Sequence, residues 1–471
     1  MQQVQQCVDA MGGSGFIRDY HFHWEAGLRE AGLRLKYRPI PLYWTIDPIP
    51  KSADQAALGL LPYLVTALRK GLIYCLTDQK QRRRLLSSLH NRQELLLLDV
   101  GRFPRTSDLF GRFDTFLRYE GPAAIPTIIE ANFNNVEGLY YQHLAQQAGR
   151  HFLAVLGLVD VVRLPSVLWQ FWRWLLWRYE SSRPSPPTPT IGIVWEPGHV
   201  VKDVELPLAA ECLRRWGHKE GIRVITANWR TVAYSSRCGW TVAGRRVQII
   251  WKNVGPYYPE DISETDYRHL STARPEEVCV LSDILGRLMG SKWLLETLWN
   301  PRHRFLFTPR EWRAIHLLVP WTIEVGDGAS EGPQGEQIPD LLRWLCRNRS
   351  RLVLKPVLGS HGEGVLLGLE AEKSTWDETV NKAAGSGGWV AMLYVHPGEV
   401  ELPVVGNDKQ KSVSWKTFFS DCNYYVLGRR PAGVIRRVAQ DRLLNIAREN
   451  NKYGQGGGML VAAHGWIGEK G

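Results

Sequence analysis

The sequence reads as an α/β protein, and three stretches carry that reading. Beyond a proline-rich break near residue 185, apolar runs alternate with helical periodicity, the rhythm of a mostly parallel, doubly wound sheet. Runs near residues 112–118 and 127–133 alternate polar and apolar side chains, as strands with two different faces do. A leucine-rich strand at residues 352–356 enters a glycine-rich loop and returns into a second apolar run.

At 471 residues the chain has room for about three domains of roughly 100–200 residues each. Its 44% hydrophobic and 22% charged residues exclude wholesale disorder. Lysine and arginine number 58 against 47 acidic residues, a net charge of +11. That charge suits nucleic acid, a phosphate-rich substrate or an acidic protein partner. No zinc-finger, RRM or KH signature accompanies it, so charge alone does not argue for nucleic acid. Cysteines 7, 75, 212, 238, 279, 346 and 422 never form Cys-x-x-Cys, which argues against a disulfide framework or structural zinc and fits a reducing, cytoplasmic compartment. The first twenty residues do not have the charged start and apolar core of a signal peptide.

Taken in order, His21-Phe-His23 would share a strand face, yet no further Cys or His clusters nearby, so both read as packed or solvated. Residues 50–90 show helical periodicity, and Lys80-Gln-Arg-Arg-Arg84 within them reads as a solvated helix face. Leu164–Trp177 holds four tryptophans but is fourteen residues long and contains Arg173, whereas a membrane span needs about 20 apolar residues. It reads as a half-buried amphipathic helix, and no transmembrane segment is expected. Ser181–Thr190, with four prolines, reads as a stiff linker. Then come a strand at Ile191–Val194, a helix at Asp203–Trp216, a strand at Arg223–Thr226, and a hairpin over Thr241–Trp251 turning at Gly244-Arg245. No Gly-x-Gly-x-x-Gly opens that helix, so nothing there signals a dinucleotide. Asn445–Gly458 is polar, glycine-rich and a loop.

Two features carry chemistry. In Leu352-Val-Leu-Lys355-Pro-Val-Leu-Gly359-Ser360-His361-Gly362-Glu-Gly364, a lysine ends a strand and three glycines follow. Glycines let backbone N–H groups close over phosphates while the lysine supplies a point charge; on pattern alone the run is equally a flexible hairpin. Upstream, Arg112 and Asp114 share one strand face, as do Glu130 and Asn132. If the two strands are neighbours, a guanidinium meets carboxylate and amide oxygens of the kind that bind Mg²⁺ together with nucleotide phosphates. A surface salt bridge at Arg112 is the alternative.

Together these anchors resemble the glutathionylspermidine-synthetase branch of the ATP-grasp superfamily. Arg-Phe-Asp, Glu-x-Asn, Ser291-Lys292-Trp-Leu-Leu-Glu-Thr-Leu-Trp299, Leu-Lys-Pro with its glycine loop, and Val434-Ile-Arg436 followed by Asn445 occur in that branch's order. The early position of Asp114, Glu130 and Asn132 matches its permuted arrangement of magnesium ligands. The resemblance implies an ATP-grasp fold with a preceding Rossmann-like domain. The division would be an N-terminal region to residue 180 carrying the metal-binding strands, the linker at 181–190, the Rossmann-like domain at 191–285 and the nucleotide-binding domain at 286–471. It further implies that Asp114, Glu130 and Asn132 hold Mg²⁺ and that Arg112 and Arg436 approach the reacting phosphoryl or carboxylate. Lys292 and Lys355 would hold ATP phosphates under the lid Gly359, Ser360, His361, Gly362 and Gly364. Leu393 and Val395, in the hinge Trp389–Val395, would pair with adenine. Glu130-Ala-Asn132 continues as Phe-Asn-Asn-Val-Glu-Gly, so glutathione and spermidine are not implied as substrates.

The implied activity is an ATP-dependent carboxylate–amine ligase that works through an acyl phosphate and releases ADP and phosphate. The expected partners are ATP, a small-molecule carboxylate and an amine. Two alternatives stand beside it: loading of an acid onto an acidic carrier protein, and a nucleotide-binding protein without catalysis.

Overall fold

The computed structural model describes residues 2–30, 34–35, 38–39, 42–46, 49–86, 109–121, 123–134, 136–158, 162–163, 165–182, 186–195, 205–253, 277–281, 284–357, 364–406, 412–439, 442, 460–463 and 466–467. Helix α1 (Ser14–Glu30) carries His21 and His23. On a helix, residues two apart do not share a face, so they form no paired site. Helix α2 (Lys51–Thr77) buries Ala57, Leu61, Leu64, Leu68 and Leu72 at three- and four-residue spacing, the stripe expected of a core helix. It is the one described helix long and apolar enough to cross a membrane, and this stripe lies in the main core cluster. Helix α3 (Gln79–Leu86) follows, then the antiparallel pair β1 (Phe110–Glu120) and β2 (Ala123–Asn132).

Helix α4 (Leu139–Val155) and helix α5 (Val167–Ser181) lead to β3 (Thr190–Trp195), α6 (Glu205–Lys219), β4 (Arg223–Asn228), β5 (Ile249–Asn253) and β6 (Cys279–Leu281). These four strands form an all-parallel sheet in the order β6-β5-β3-β4, the α/β unit that the alternation predicts. The hairpin before β5 turns one residue earlier than expected. Val242 pairs Arg245, and Ala243 and Gly244 take φ of 48° and 70°, a two-residue turn with both central residues left-handed.

Next come α7 (Lys292–Trp299), α8 (Pro309–Leu318) and β7 (Thr322–Glu324), then α9 (Leu341–Arg347), β8 (Leu352–Pro356), β9 (Leu366–Leu367), α10 (Lys373–Ser386) and β10 (Trp389–Leu393). Helix α8 starts with a full capping box, Thr308 to Glu311, with Pro309 at its first position. Strands β7-β10-β8-β9 make a small antiparallel sheet backed by α9 and α10 through Leu345, Trp376 and Val380. Strands β11 (Gly398–Val405), β12 (Val413–Ser420), β13 (Asn423–Leu427) and β14 (Arg430–Ala439) complete the chain's largest sheet, ordered β11-β12-β14-β13-β1-β2 and extended by residues 460–463 and 42–46. This sheet crosses the boundaries drawn along the sequence, because β13 pairs directly with β1.

The two faces of the large sheet build two cores. Phe113, Tyr424 and Val434 pack with Leu61, Leu64, Leu294 and Ile315 from α2, α7 and α8. Phe110, Tyr425 and Ile435 face α4, α5 and the parallel sheet. The tryptophan-rich helix α5 is the filling between the sheets: the Phe171 ring lies 4.7 Å from Phe110 and 4.8 Å from Trp251. Trp172 and Trp174 are buried while Trp169 and Trp177 are exposed, the half-buried helix expected. All seven cysteines are free thiols.

Candidate functional site

The site lies on the face of β1 and β2 that carries Arg112, Asp114, Glu130 and Asn132. Register places Arg112 opposite Asn132 and Asp114 opposite Glu130, so the strands are neighbours and the four side chains share one face. The register shifts just after Asp114, and the diverted Thr115 amide donates to Asn423 Oδ1 at 2.9 Å. Bulges of this kind re-aim side chains beside functional sites. Gly111 must be glycine, because a Cβ there would meet the Phe133 ring at 2.4 Å.

Arg112 grips Asp114 with two bonds, Nε to Oδ1 at 2.7 Å and Nη2 to Oδ2 at 3.1 Å, and its Nη1 donates to the Glu137 carbonyl at 2.8 Å. The Tyr425 hydroxyl donates to the same carbonyl at 2.9 Å. Next to it Gly138 takes φ 93°, and the Glu205 carboxylate accepts the Gly138 and Tyr140 amides, each at 3.0 Å, at the start of α4. The parallel sheet's first helix thus steadies the loop that orients Arg112.

A second guanidinium reaches Asp114: Arg437 Nη2 lies 3.0 Å from Oδ2. Burial alone would raise the Asp114 carboxyl, but Arg112 and Arg437 carry it below the ordinary carboxylate range. Asp114 in turn outweighs burial at Arg112 and raises it. Arg437 is the residue that the sequence reading missed. Along β14, neighbouring residues face opposite sides, so Arg436 points to the face of Tyr424, whose phenol its charge touches, while Arg437 points to the site. The guanidinium of β14 that meets Asp114 is therefore that of Arg437, and Arg436 lies on the opposite face beside Tyr424.

Both lysines converge on β2. Lys292, the first residue of α7, places Nζ 3.4 Å from Glu130 Oε1. Lys355, on β8 of the small sheet, reaches across to the Ile129 carbonyl at 2.9 Å and lies 3.6 Å from Met392 Sδ. Burial pushes the Lys355 ammonium down to about 8; Lys292 adds to this and Glu130 opposes it. The two sheets thus meet at a cleft lined by Lys292, Lys355, Glu130 and the Arg112–Asp114–Arg437 group.

The donor set divides on a test of fit to Mg²⁺. Asp114 is nearly sealed and both its oxygens accept guanidinium N–H groups, so it fits a bridging carboxylate and not a metal ligand. Glu130 and Asn132 are half-buried on the open face and offer the carboxylate and amide oxygens that Mg²⁺ takes alongside phosphates and water. Among the described residues no three Asp, Glu, His or Cys side chains gather into a metal cluster.

The remaining expectations fall unevenly. Gly359, Ser360, His361, Gly362 and the Asn445–Gly458 loop lie outside the described residues. Gly364 takes φ 72° as it re-enters the small sheet. The Leu393 amide already donates to the Trp321 carbonyl at 2.9 Å, and the next amide, of Tyr394, to Arg351 at 2.8 Å. The Leu393 N–H is thus used within the small sheet, and Val395 is the first hinge residue past those bonds. Arg84, read as a solvated helix face, instead bridges Glu296 and Glu324 at 2.9 Å each and sits 5.2 Å from the Trp293 ring. It ties α3 to both the helix of Lys292 and the small sheet.

A small antiparallel sheet meets a large one, with two lysines and a carboxylate–amide pair between them, and the chain shares this fold with a solved glutathione synthetase-like protein. The chain is similar to the apo structure of a glutathione synthetase-like effector from Globodera pallida, at TM-score 0.64 and 10% identity, covering 96% of this chain and 98% of that one. It also aligns with a γ-glutamylcysteine synthetase-like protein from Methylobacillus flagellatus at TM-score 0.37, 13% identity, and 88% and 90% coverage. A D-alanyl-alanine synthetase A from Vibrio cholerae aligns at TM-score 0.28, 9% identity, and 59% and 89% coverage. No family model matches the sequence, and no curated protein matches it.

Proposed function

We propose that the chain is an ATP-dependent carboxylate–amine ligase of the permuted ATP-grasp branch, working through an acyl phosphate. The observation that carries this reading is the convergence, on one strand face, of Lys292 and Lys355 with Glu130 and the paired guanidiniums of Arg112 and Arg437. A carboxylate is a poor electrophile until phosphorylated, and phosphoryl transfer is mostly positioning and charge neutralisation. Lys292 and Lys355 hold the nucleotide phosphates between the two sheets. Glu130 and Asn132 would hold Mg²⁺, which supplies neutralising charge to phosphate oxygens when bound. Arg112 and Arg437, turned by Asp114, face the γ-phosphoryl group and the incoming carboxylate. The carboxylate oxygen bonds to the γ-phosphorus as the bond to ADP breaks. The amine then bonds to the acyl carbon, phosphate leaves, and the amine's proton goes to solvent.

ADP release from Mg·ATP in the presence of pooled amino acids, small peptides and amines tests the reading. Release that requires a carboxylate and an amine, and that disappears in Glu130→Gln, is expected. Release that requires a carrier protein in place of the amine would shift the acceptor, and no release with any acid would remove catalysis.

A further inference from the structure

We propose that Asp421 is the positioning residue of this site: it holds the Arg437 guanidinium so that one nitrogen remains for the anion that enters the cleft. The inference deepens the ligase reading and rests on it. Asp421 lies in the short connection between β12 and β13, where polar residues ordinarily face water, yet it is 1% exposed. A carboxylate taken out of water needs a partner to stay ionised. Burial pushes its carboxyl up, and Arg437 offsets only part of this.

Every contact between the two fixes the arginine. Asp421 Oδ1 accepts the Arg437 backbone amide at 2.9 Å, and Oδ2 accepts Nε at 2.6 Å and pairs with Nη2 at 2.5 Å. Nη2 also donates to Asp114, which holds Arg112 in turn. The four groups run carboxylate, guanidinium, carboxylate, guanidinium, so their charges cancel before any ligand arrives. Arg437 Nη1 stands apart: among the described residues it has no partner, and it is absent from the sealed polar atoms, so it keeps accessible surface. A planar guanidinium held along its Nε–Nη2 edge has one direction left for Nη1. Without Asp421, Arg437 is free to take the second edge of Asp114 and compete there with Arg112. Both cations would then lose their set directions, although neither is deleted.

The contact geometry separates this role from plain structural support. Lys292 and Lys355 do not touch Asp421, so the phosphates that ADP shares with ATP are held independently of it, whereas the γ-phosphate meets the guanidiniums. Binding of Mg·ATP and Mg·ADP, measured by titration calorimetry on the wild-type chain and Asp421→Asn, reads the difference. The expected result is Mg·ATP weakened about tenfold or more, the scale of one lost charge-assisted contact, with Mg·ADP held within about twofold. The double variant Asp421→Asn/Arg437→Gln removes both charges of the buried pair, so it keeps the protein folded if the single change does not. It too is expected to lose the preference for ATP over ADP. An unchanged preference in both variants, or equal weakening of the two nucleotides, would overturn the positioning role while leaving the ligase reading intact. A wild-type chain that binds neither nucleotide would overturn both.

Discussion

Nucleotide binding should pull protons from solvent at mildly alkaline pH, and Lys355 is the reason. Burial between the two sheets lowers its ammonium to about 8, whereas an ordinary lysine titrates near 10.5. Half the molecules therefore lack that proton at pH 8. Nucleotide phosphates arriving beside Nζ favour the charged form and return the group toward its ordinary value. The uptake per bound nucleotide is then about 0.1 proton at pH 7, about 0.5 at pH 8 and about 0.9 at pH 9. The sign for folding follows from the same depression. Between pH 8 and 10.5 the unfolded chain holds more protons than the native one, so the contribution of Lys355 to stability rises with pH across that window and is smallest below it. Calorimetry of Mg·ADP binding in two buffers of different ionisation enthalpy reads the uptake directly. Uptake near zero at both pH 8 and pH 9, or the same uptake in Lys355→Met, would refute the reasoning.

Three further outcomes follow from the site. Glu130→Gln should leave the fold intact and raise the Mg²⁺ concentration needed for half-maximal ADP release, since its side chain is half-buried and pairs with Lys292 at 3.4 Å; a magnesium titration of wild type and variant checks this. Asp114→Ala leaves two buried guanidiniums facing each other, and breaking a buried pair in this way costs about 3–5 kcal/mol, seen as a lowered midpoint in denaturant titration. Arg84→Met leaves Glu296 and Glu324 without their shared cation. Burial already raises the Glu324 carboxyl, so protonation relieves the repulsion and the loss in melting temperature should be larger at pH 8 than at pH 5; equal losses at both would count against the bridge.

How much of this was legible in the sequence depended on whether local pattern or distant register decided the outcome. The alternation around Arg112 and Asp114 placed them on one face, and strand pairing adds that β2 lies alongside with Glu130 opposite Asp114. The parallel sheet followed from its strand–helix rhythm. Arg436 and Arg437 were not separable in this way. Adjacent residues on a strand differ only in facing, and Asp114, which Arg437 meets across the sheet, lies 323 residues earlier. Asp421 reads as an ordinary turn residue, because nothing local shows that Arg437 folds back over it. Arg84 sits in a run of basic residues that looks solvated until α7 and β7 bring Glu296 and Glu324 beside it. His21 and His23 were weighed on a strand, where residues two apart share a face; the segment is helical, where they do not.

The central claim is that this cleft activates a carboxylate as an acyl phosphate, and trapping that species tests it most directly. The protein would be incubated with ATP, Mg²⁺, hydroxylamine and a pool of amino acids, small peptides and acid-bearing carrier proteins, and hydroxamates sought by mass spectrometry. The account predicts an ATP-dependent hydroxamate of one acid class that is lost in Lys355→Met and in Glu130→Gln. Wild-type protein that binds Mg·ATP yet yields neither hydroxamate nor ADP across that pool would contradict it.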